Sequence, residues 1–292
     1  MTAQTAQCWN QEALTHDTAR SNWLCSSRLL WDYVFPLFGG IDWYTWFQRK
    51  YCQSPRKSVS LGCGEAAAER QFLSMGAFET CVGYDLAETA LQIGRVKAAR
   101  EGIAGLRLLI GDINSIALGD DQYDLVIGWM AWHHVADLEQ IYDEACRALK
   151  PGGLLLLNEY VGPARFACTP TQSALMEEWL ARLPVELKLD LAGRVRANCT
   201  PTPAIVAAID PSEAIRSDEI VPLLEDRFTV LDRIDYGGAL LHHLLSGSMQ
   251  CFDFGNAEHC RWLHRLYAAE REAMAAGIIG SDFTFIVAEP KR

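Results

Sequence analysis

Two groups of residues in this sequence carry side chains suited to chemistry. The first is Gly62-Cys63-Gly64, followed by Asp85 about 20 residues further on, the spacing of a nucleoside-binding α/β unit. Glycines at a strand-to-helix turn reach backbone angles closed to other residues and let the main chain approach a ligand. A carboxylate at the end of the next strand can accept hydrogen bonds from both hydroxyls of a ribose. The second group is His133, His134, Glu159 and Tyr160, where the histidines and the acid can take or deliver a proton. The glycine signal alone is ambiguous. A tight turn without a ligand gives the same pattern, and Gly62-x-Gly64-x-x-Ala67 also fits a dinucleotide fingerprint.

The elements that must position these groups follow from the apolar pattern. Residues 58–61 read as a buried strand, 65–75 as a helix, and 80–84 as a second strand that ends at Asp85. Residues 86–101 read as a helix, with Leu86, Ala90, Ile93 and Val96 near a helical period. A third strand spans 106–110 and runs into Gly111-Asp112-Ile113. An acid there can meet the exocyclic amine of an adenine while Ile113 packs on the ring; the competing role for Asp112 is a turn or helix cap. Residues 123–128 are continuously apolar after Asp124, as a buried parallel strand should be. A helix over 138–149, a turn at Lys150-Pro151-Gly152-Gly153 and a strand over 154–157 follow. This alternation predicts a parallel, doubly wound sheet, with the histidines and Glu159 where its fourth and fifth strands end.

Before this core, residues 1–50 are rich in aromatic side chains, among them Trp9, Trp23, Trp31, Trp43, Trp46, Tyr33 and Tyr44. Two or three helices are expected there, forming either a lid with rings around a ligand or an aromatic face packed on the core. The net charge of −11 and the lack of a long basic run exclude a nucleic-acid backbone as partner. The ten cysteines include no C-x-x-C pair, so no zinc spacing is present, and reduced cytoplasmic thiols are expected. The polar opening of the chain is not that of a signal peptide. Residues 29–47 are aromatic but broken by Asp32, Pro36, Gly39, Gly40 and Asp42, so no membrane span is expected.

Taken in order, LGCGEAAAE with Asp85, GDINSIAL, YDLVIGWMAWHHV and LKPGGLLLLNEY resemble the successive motifs of class I S-adenosylmethionine-dependent methyltransferases of the small-molecule, bacterial type. The resemblance covers about residues 57–160, and the L-K-P-G-G turn weighs against an NAD-dependent oxidoreductase. Ala66 stands where that family often has the third glycine of G-x-G-x-G. The resemblance implies an α/β fold with a Rossmann-like seven-stranded sheet, mostly parallel with the last strand antiparallel. Residues 228–236 and 283–289 would supply the sixth and seventh strands. It implies S-adenosylmethionine as cofactor. Leu61, Gly62, Cys63 and Gly64 would lie against its methionine part, Asp85 on the ribose, Leu86 near the adenine, Asp112 and Ile113 flanking the adenine, and Gly128 and Trp129 beside the sulfonium. The expected organisation is a helical aromatic arm or lid (1–50), a cofactor-binding core (51–160), a substrate-binding cap (161–225) and the C-terminal part of the sheet with inserted helices (226–292). Within the cap, helices are expected over 172–183 and over 212–224, the latter capped by Asp210 or Ser212.

Methyl transfer from a sulfonium is an in-line displacement from an activated donor. The protein has mainly to hold acceptor and methyl in line and exclude water. A base helps when the acceptor is a hydroxyl or a protonated amine, and Glu159, His134 and His133 are the candidates. Glu159 has a structural alternative, a buried acid paired with Arg165 or with a residue of the cap. Tyr160, Arg165 and His242 are the candidates for binding substrate, and no metal is expected. The expected activity is methylation of a small-molecule acceptor, an O-methylation in sugar, polysaccharide or natural-product biosynthesis. The alternatives are an N- or protein methyltransferase, or a non-catalytic protein that binds the cofactor or a partner.

Overall fold

A computed structural model describes residues 5–7, 9–11, 23–52, 56–200 and 202–291. Seven strands form one sheet: β1 (Lys57–Leu61), β2 (Thr80–Asp85), β3 (Leu106–Ile110), β4 (Tyr123–Trp129), β5 (Leu149–Tyr160), β6 (Phe228–Gly237) and β7 (Phe283–Pro290). Their order is β3-β2-β1-β4-β5-β7-β6. The first five pair in parallel, and β7 runs antiparallel between β5 and β6. This is the expected sheet with its last strand reversed.

The continuous apolar runs of β4, β5 and β7 arise because both faces of the sheet are covered. Leu125 and Ile127 face one core, shared with Leu154, Leu156, Phe285 and Val287. Val126 faces the other, with Leu155, Leu157, Ile286 and Ala288. This is the two-residue period of a strand buried on both sides. Helices α1 (Trp43–Tyr51), α2 (Ala67–Ser74), α3 (Glu88–Arg100) and α4 (Leu138–Ala148) belong to the first half. Then come α5 (Pro170–Arg182), α6 (Pro203–Ile209), α7 (Ile220–Arg227), α8 (Leu241–Leu245) and α9 (Ala257–Ala275). Among the described residues, no helix is long and apolar enough to cross a membrane.

Three expectations change. Lys150 to Gly153 is not a free turn: β5 begins at Leu149, which already pairs with Tyr123, and the ladder shifts register before Leu125 meets Leu154. The predicted helix over 212–224 does not form. Ala214 adopts a left-handed φ of 46°, which an α-helix cannot accommodate, and helix α7 starts only at Ile220. Asp210 therefore folds back on Ser212, accepting from its amide and its hydroxyl at 2.8 and 2.7 Å, instead of capping a helix. In the arm, the described residues from Trp23 to Tyr51 form helical turns and α1. Trp23, Tyr33, Phe38 and Phe47 are buried in the core from that side. Much of 1–22 lies outside the described residues.

Strand β1 pairs with β2 on one side and β4 on the other. Their crossovers leave in opposite directions, which opens a crevice at the carboxyl ends of these strands, where α/β sheets bind ligands.

Candidate active site

The cofactor side of the crevice is built within 30 residues of sequence or so, as an α/β crossover allows. The amides of Gly62 and Cys63 both donate to the Tyr84 carbonyl, at 2.8 and 3.1 Å, tying the end of β1 to the end of β2. Gly62 has φ 81°, and a Cβ there would lie 2.4 Å from the Cβ of Ala131, so only glycine fits. The Gly64 amide donates to Asp85 Oδ2 at 2.7 Å and the Ala87 amide to Oδ1 at 2.8 Å. The Asp85 carboxylate is thus fixed in orientation at the crevice wall. Burial raises its pKa, and the hydrogen bonds from Ala87, Gly64 and Leu86 work against that rise. Ala66 takes the left-handed conformation, φ 56°, at the start of α2. The turn therefore survives without a third glycine, with an alanine in a backbone region that glycine occupies at less cost.

Gly62, Cys63, Gly64, Asp85, Ile113 and Trp129 all line this crevice. Leu61, Leu86, Asp112 and Gly128 are not in its lining. Leu61 is buried in the core. Leu86 sits half-buried behind Asp85 in sequence. Asp112 Oδ1 accepts from the backbone and side chain of Asn114, at 2.9 and 3.1 Å, the turn-forming role. At Gly128 a Cβ would come within 2.5 Å of the Trp132 indole nitrogen, so this glycine serves packing.

One lining residue escaped the sequence reading. Glu69, on the first turn of α2, is 1% exposed, and the Ser60 hydroxyl donates to it. Burial pushes its pKa up to about 7, and among the described residues it forms no ion pair. It lies in the crevice wall with Tyr44, whose ring stacks on Trp129 at a centroid distance of 5.1 Å. The available signal was a charge on the inward face of α2, between the buried Ala68 and Phe72.

The acceptor side is assembled from distant segments. After Trp129, Met130 adopts φ 52° and its amide donates to Asn158 O at 2.8 Å. The chain then turns through Trp132–His134. Glu159, fully buried on β5, accepts from the Ala131 and Trp132 amides at 2.6 and 2.8 Å through Oε1. Its Oε2 lies 2.7 Å from His133 Nδ1. Glu159 therefore caps this turn and orients His133, and it does not line the crevice. Burial disfavours a charged His133, yet the hydrogen bond and charge of Glu159, with Glu213 and Asp210, raise its pKa on balance.

His134 does line the crevice. Its Nδ1 lies 3.2 Å from Ser212 Oγ and 3.5 Å from Asp210 Oδ2. The single Ser212 hydroxyl proton goes to Asp210 Oδ1 at 2.7 Å, so Ser212 accepts from His134 Nδ1–H, and Nε2 carries the lone pair. Burial, with His133 and Arg165 adding to it, holds His134 well below the usual histidine range, so the ring is neutral. Trp9 crosses above, its ring edge-on to His134 at 4.8 Å and its indole N–H donating to Asp210 Oδ2 at 2.8 Å.

Of the three residues expected to bind substrate, none is in the crevice lining. Arg165 donates to the carbonyls of Pro211 (2.6 Å), Glu213 (3.0 Å) and Asp210 (3.5 Å), clamping the 210–213 loop. Its guanidinium is used on backbone. Tyr160 is buried and donates to Pro163 O at 3.0 Å. His242 Nδ1 accepts from the Trp23 indole at 3.3 Å, and its ring packs on Phe283.

The fold defines a Rossmann-like domain with a crevice at the carboxyl ends of its strands, lined on one side by His134. Residues 59–157 match the model of the methyltransferase domain family, and this part of the chain is a class I S-adenosylmethionine-dependent methyltransferase domain, a class whose methyl donor and cofactor is S-adenosylmethionine. The chain is 32% identical over 108 residues to a malonyl-[acyl-carrier protein] O-methyltransferase of Methylococcus capsulatus, covering 36% of this chain and 38% of that protein. It is 33% identical over 116 residues to the human mitochondrial 2-methoxy-6-polyprenyl-1,4-benzoquinol methylase, covering 39% of this chain and 35% of that one. The matched stretches thus span well under half of either relative. The fold is similar to that of geranyl diphosphate C-methyltransferase from Streptomyces coelicolor, solved with Mg2+, geranyl diphosphate and S-adenosyl-L-homocysteine. That match has a TM-score of 0.52 at 14% identity, over 84% of this chain and 77% of that one.

Proposed function

We propose that this protein transfers a methyl group from S-adenosylmethionine to an oxygen of a small-molecule acceptor. The observation that carries the reading is the Asp85 carboxylate, buried at the crevice wall and pre-oriented by the Gly64 and Ala87 amides before any ribose arrives. Glu69 supports it from the other end. A buried carboxylate without an ion-pair partner suits a ligand that brings its own cation, here the α-ammonium of the methionine moiety. With both ends of the cofactor so placed, its sulfonium falls near Trp129 and Met130, and the acceptor enters from the His134 side. Two relatives carry names that specify small or carrier-bound acceptors, in keeping with a crevice roofed by Trp9.

In this mechanism the acceptor oxygen attacks the methyl carbon. The carbon–sulfur bond breaks with its electron pair on sulfur, and S-adenosylhomocysteine leaves. Asp85 and Glu69 bind the cofactor. Trp9, Tyr44 and Trp129 exclude water from it, with Trp9 and the arm acting as the lid. His134 lines the acceptor end of the crevice with a neutral imidazole, and the hydroxyl proton of the acceptor leaves to solvent. Glu159 acts as a positioning residue for His133 and the Ala131–Trp132 backbone, not as a base that touches the acceptor.

The test is methyl transfer from methyl-labelled S-adenosylmethionine to a panel of phenols, quinols, carboxylic acids and sugars, with a protein extract as a parallel acceptor. Label on a small molecule, with S-adenosylhomocysteine released in equal amount, supports the proposal. Label only on protein or on nitrogen overturns it in favour of the alternatives.

A further inference from the structure

The loop that replaces the predicted 212–224 helix brings Glu213 to the histidine pair from another part of the chain. Glu213 Oε1 lies 3.6 Å from His133 Nε2, and Oε2 lies 4.0 Å from His134 Nε2. Neither distance is a hydrogen bond. One ligating atom from each of these three side chains lies within 4.8 Å of the other two. Both outer nitrogens are already engaged: His133 Nδ1 with the buried Glu159 at 2.7 Å, and His134 Nδ1 with Ser212 at 3.2 Å. Metal-binding histidines use their second nitrogen in this way, donating to a carboxylate or a neighbouring oxygen that fixes tautomer and ring orientation. The two Nε2 atoms then converge on one carboxylate.

We propose that His133 Nε2, His134 Nε2 and the Glu213 carboxylate hold a divalent first-row transition-metal cation with its remaining positions open toward the crevice. Two imidazoles and one carboxylate suit zinc, iron, manganese or cobalt rather than calcium or magnesium. Donors about 2.1 Å from such an ion lie roughly 3.4 Å apart in a tetrahedral site, so small side-chain rotations close the observed separations. The backbone is braced for this. Arg165 clamps the Glu213 carbonyl, the Arg165 amide donates to Ala214 O, and the Ile215 amide donates to His133 O at 3.0 Å.

The inference rests on the proposed methyl transfer and deepens it. The open face of the ion lies beside His134, which lines the crevice, so it would bind the acceptor oxygen next to the methyl group. A bound cation lowers the pKa of a coordinated hydroxyl. The proton leaves to solvent, the oxygen forms its bond to the methyl carbon, and the carbon–sulfur bond breaks onto sulfur. The acceptor class this favours is a hydroxyl flanked by a second oxygen, such as a catechol, a hydroxyacid or a vicinal diol, which can chelate the ion. The expectation that no metal is needed came from the activated methyl donor and from the lack of zinc-spaced cysteines. These ligands instead come from adjacent histidines and an acid 80 positions later.

The experiment uses chelator-treated protein titrated with Co2+ and followed by visible absorbance, with bound metal counted by equilibrium dialysis. Wild type should take up one equivalent with d–d bands characteristic of mixed nitrogen and oxygen ligation. Glu213→Gln should weaken Co2+ by at least about 10-fold while binding S-adenosylmethionine as wild type does, which shows that it is folded. Sub-stoichiometric uptake by wild type, or uptake unchanged in Glu213→Gln, overturns the proposal. In either case cofactor binding by the metal-free protein decides the methyltransferase reading separately.

Discussion

The two sides of the crevice are built on different scales. The cofactor side is local: Gly62, Gly64, Glu69 and Asp85 come from one strand–helix–strand unit, and its key hydrogen bond spans 21 residues. The acceptor side is composite. His133 is oriented from β5, 26 residues away, and His134 contacts a loop 78 residues further on. That loop is held in turn by Arg165, 46 residues before Pro211. A local site is fixed as soon as its unit folds. A composite site is fixed only when its distant segments have packed together, so its contacts can change while the cofactor side stays the same.

Several substitutions would break or sharpen this contrast. The largest effect is expected from Glu159→Ala. It removes three hydrogen bonds at a fully buried position and should cost about 3–4 kcal/mol in chemical denaturation. A loss under about 1 kcal/mol would show that the acceptor side does not hang on this residue. Asp85→Ala should lower S-adenosylmethionine affinity about 100-fold, or about 2.7 kcal/mol, measured by calorimetry.

Glu69→Gln should weaken S-adenosylmethionine about 10-fold at pH 8, as expected for a lost charge pair, and it should also change the pH dependence of stability. The Glu69 carboxyl is raised from an ordinary 4.5 to about 7. Between those values the folded state holds a proton that the unfolded state has lost, so stability falls as pH rises through the window. Asp282, raised from 3.8 to about 7 by burial, adds a fall of the same sign. The buried His134, His242 and His243, held below the usual histidine range by burial, act in the opposite direction, so the Glu69 contribution is read as a difference: in thermal melts of the ligand-free protein, wild type should lose stability relative to Glu69→Gln from pH 5 to pH 8. Cofactor affinity of wild type should rise over the same range as the carboxylate ionises. Parallel melting profiles in the two proteins would remove Glu69 from this role. The smallest effect is expected from Trp9→Ala, about threefold in cofactor affinity, since it loses one edge contact and one hydrogen bond.

The same contrast accounts for what could be read from the chain alone. Strand identities, their order of use and the Asp85 position were legible because period, turn glycines and acid all lie within one α/β unit. The fate of Glu159 was half legible: its burial was anticipated, but its partners turned out to be His133 and two amides, not Arg165. Glu213 was not legible, because it faces the histidines only once Ala214 turns left-handed and Arg165 secures the loop. Tyr160 ends β5 and Arg165 follows it in the next loop, yet their polar atoms are spent on backbone carbonyls. Proximity in sequence to a strand end was a poor guide to which side chains reach the crevice.

The most direct measurement is calorimetric binding of S-adenosylmethionine, S-adenosylhomocysteine and NAD to wild type and to Asp85→Ala, with no acceptor present. If the cofactor side is preformed, wild type binds both sulfur nucleosides and not NAD, and Asp85→Ala loses that binding. Failure of wild type to bind either sulfur nucleoside, or equal binding by Asp85→Ala, would contradict it.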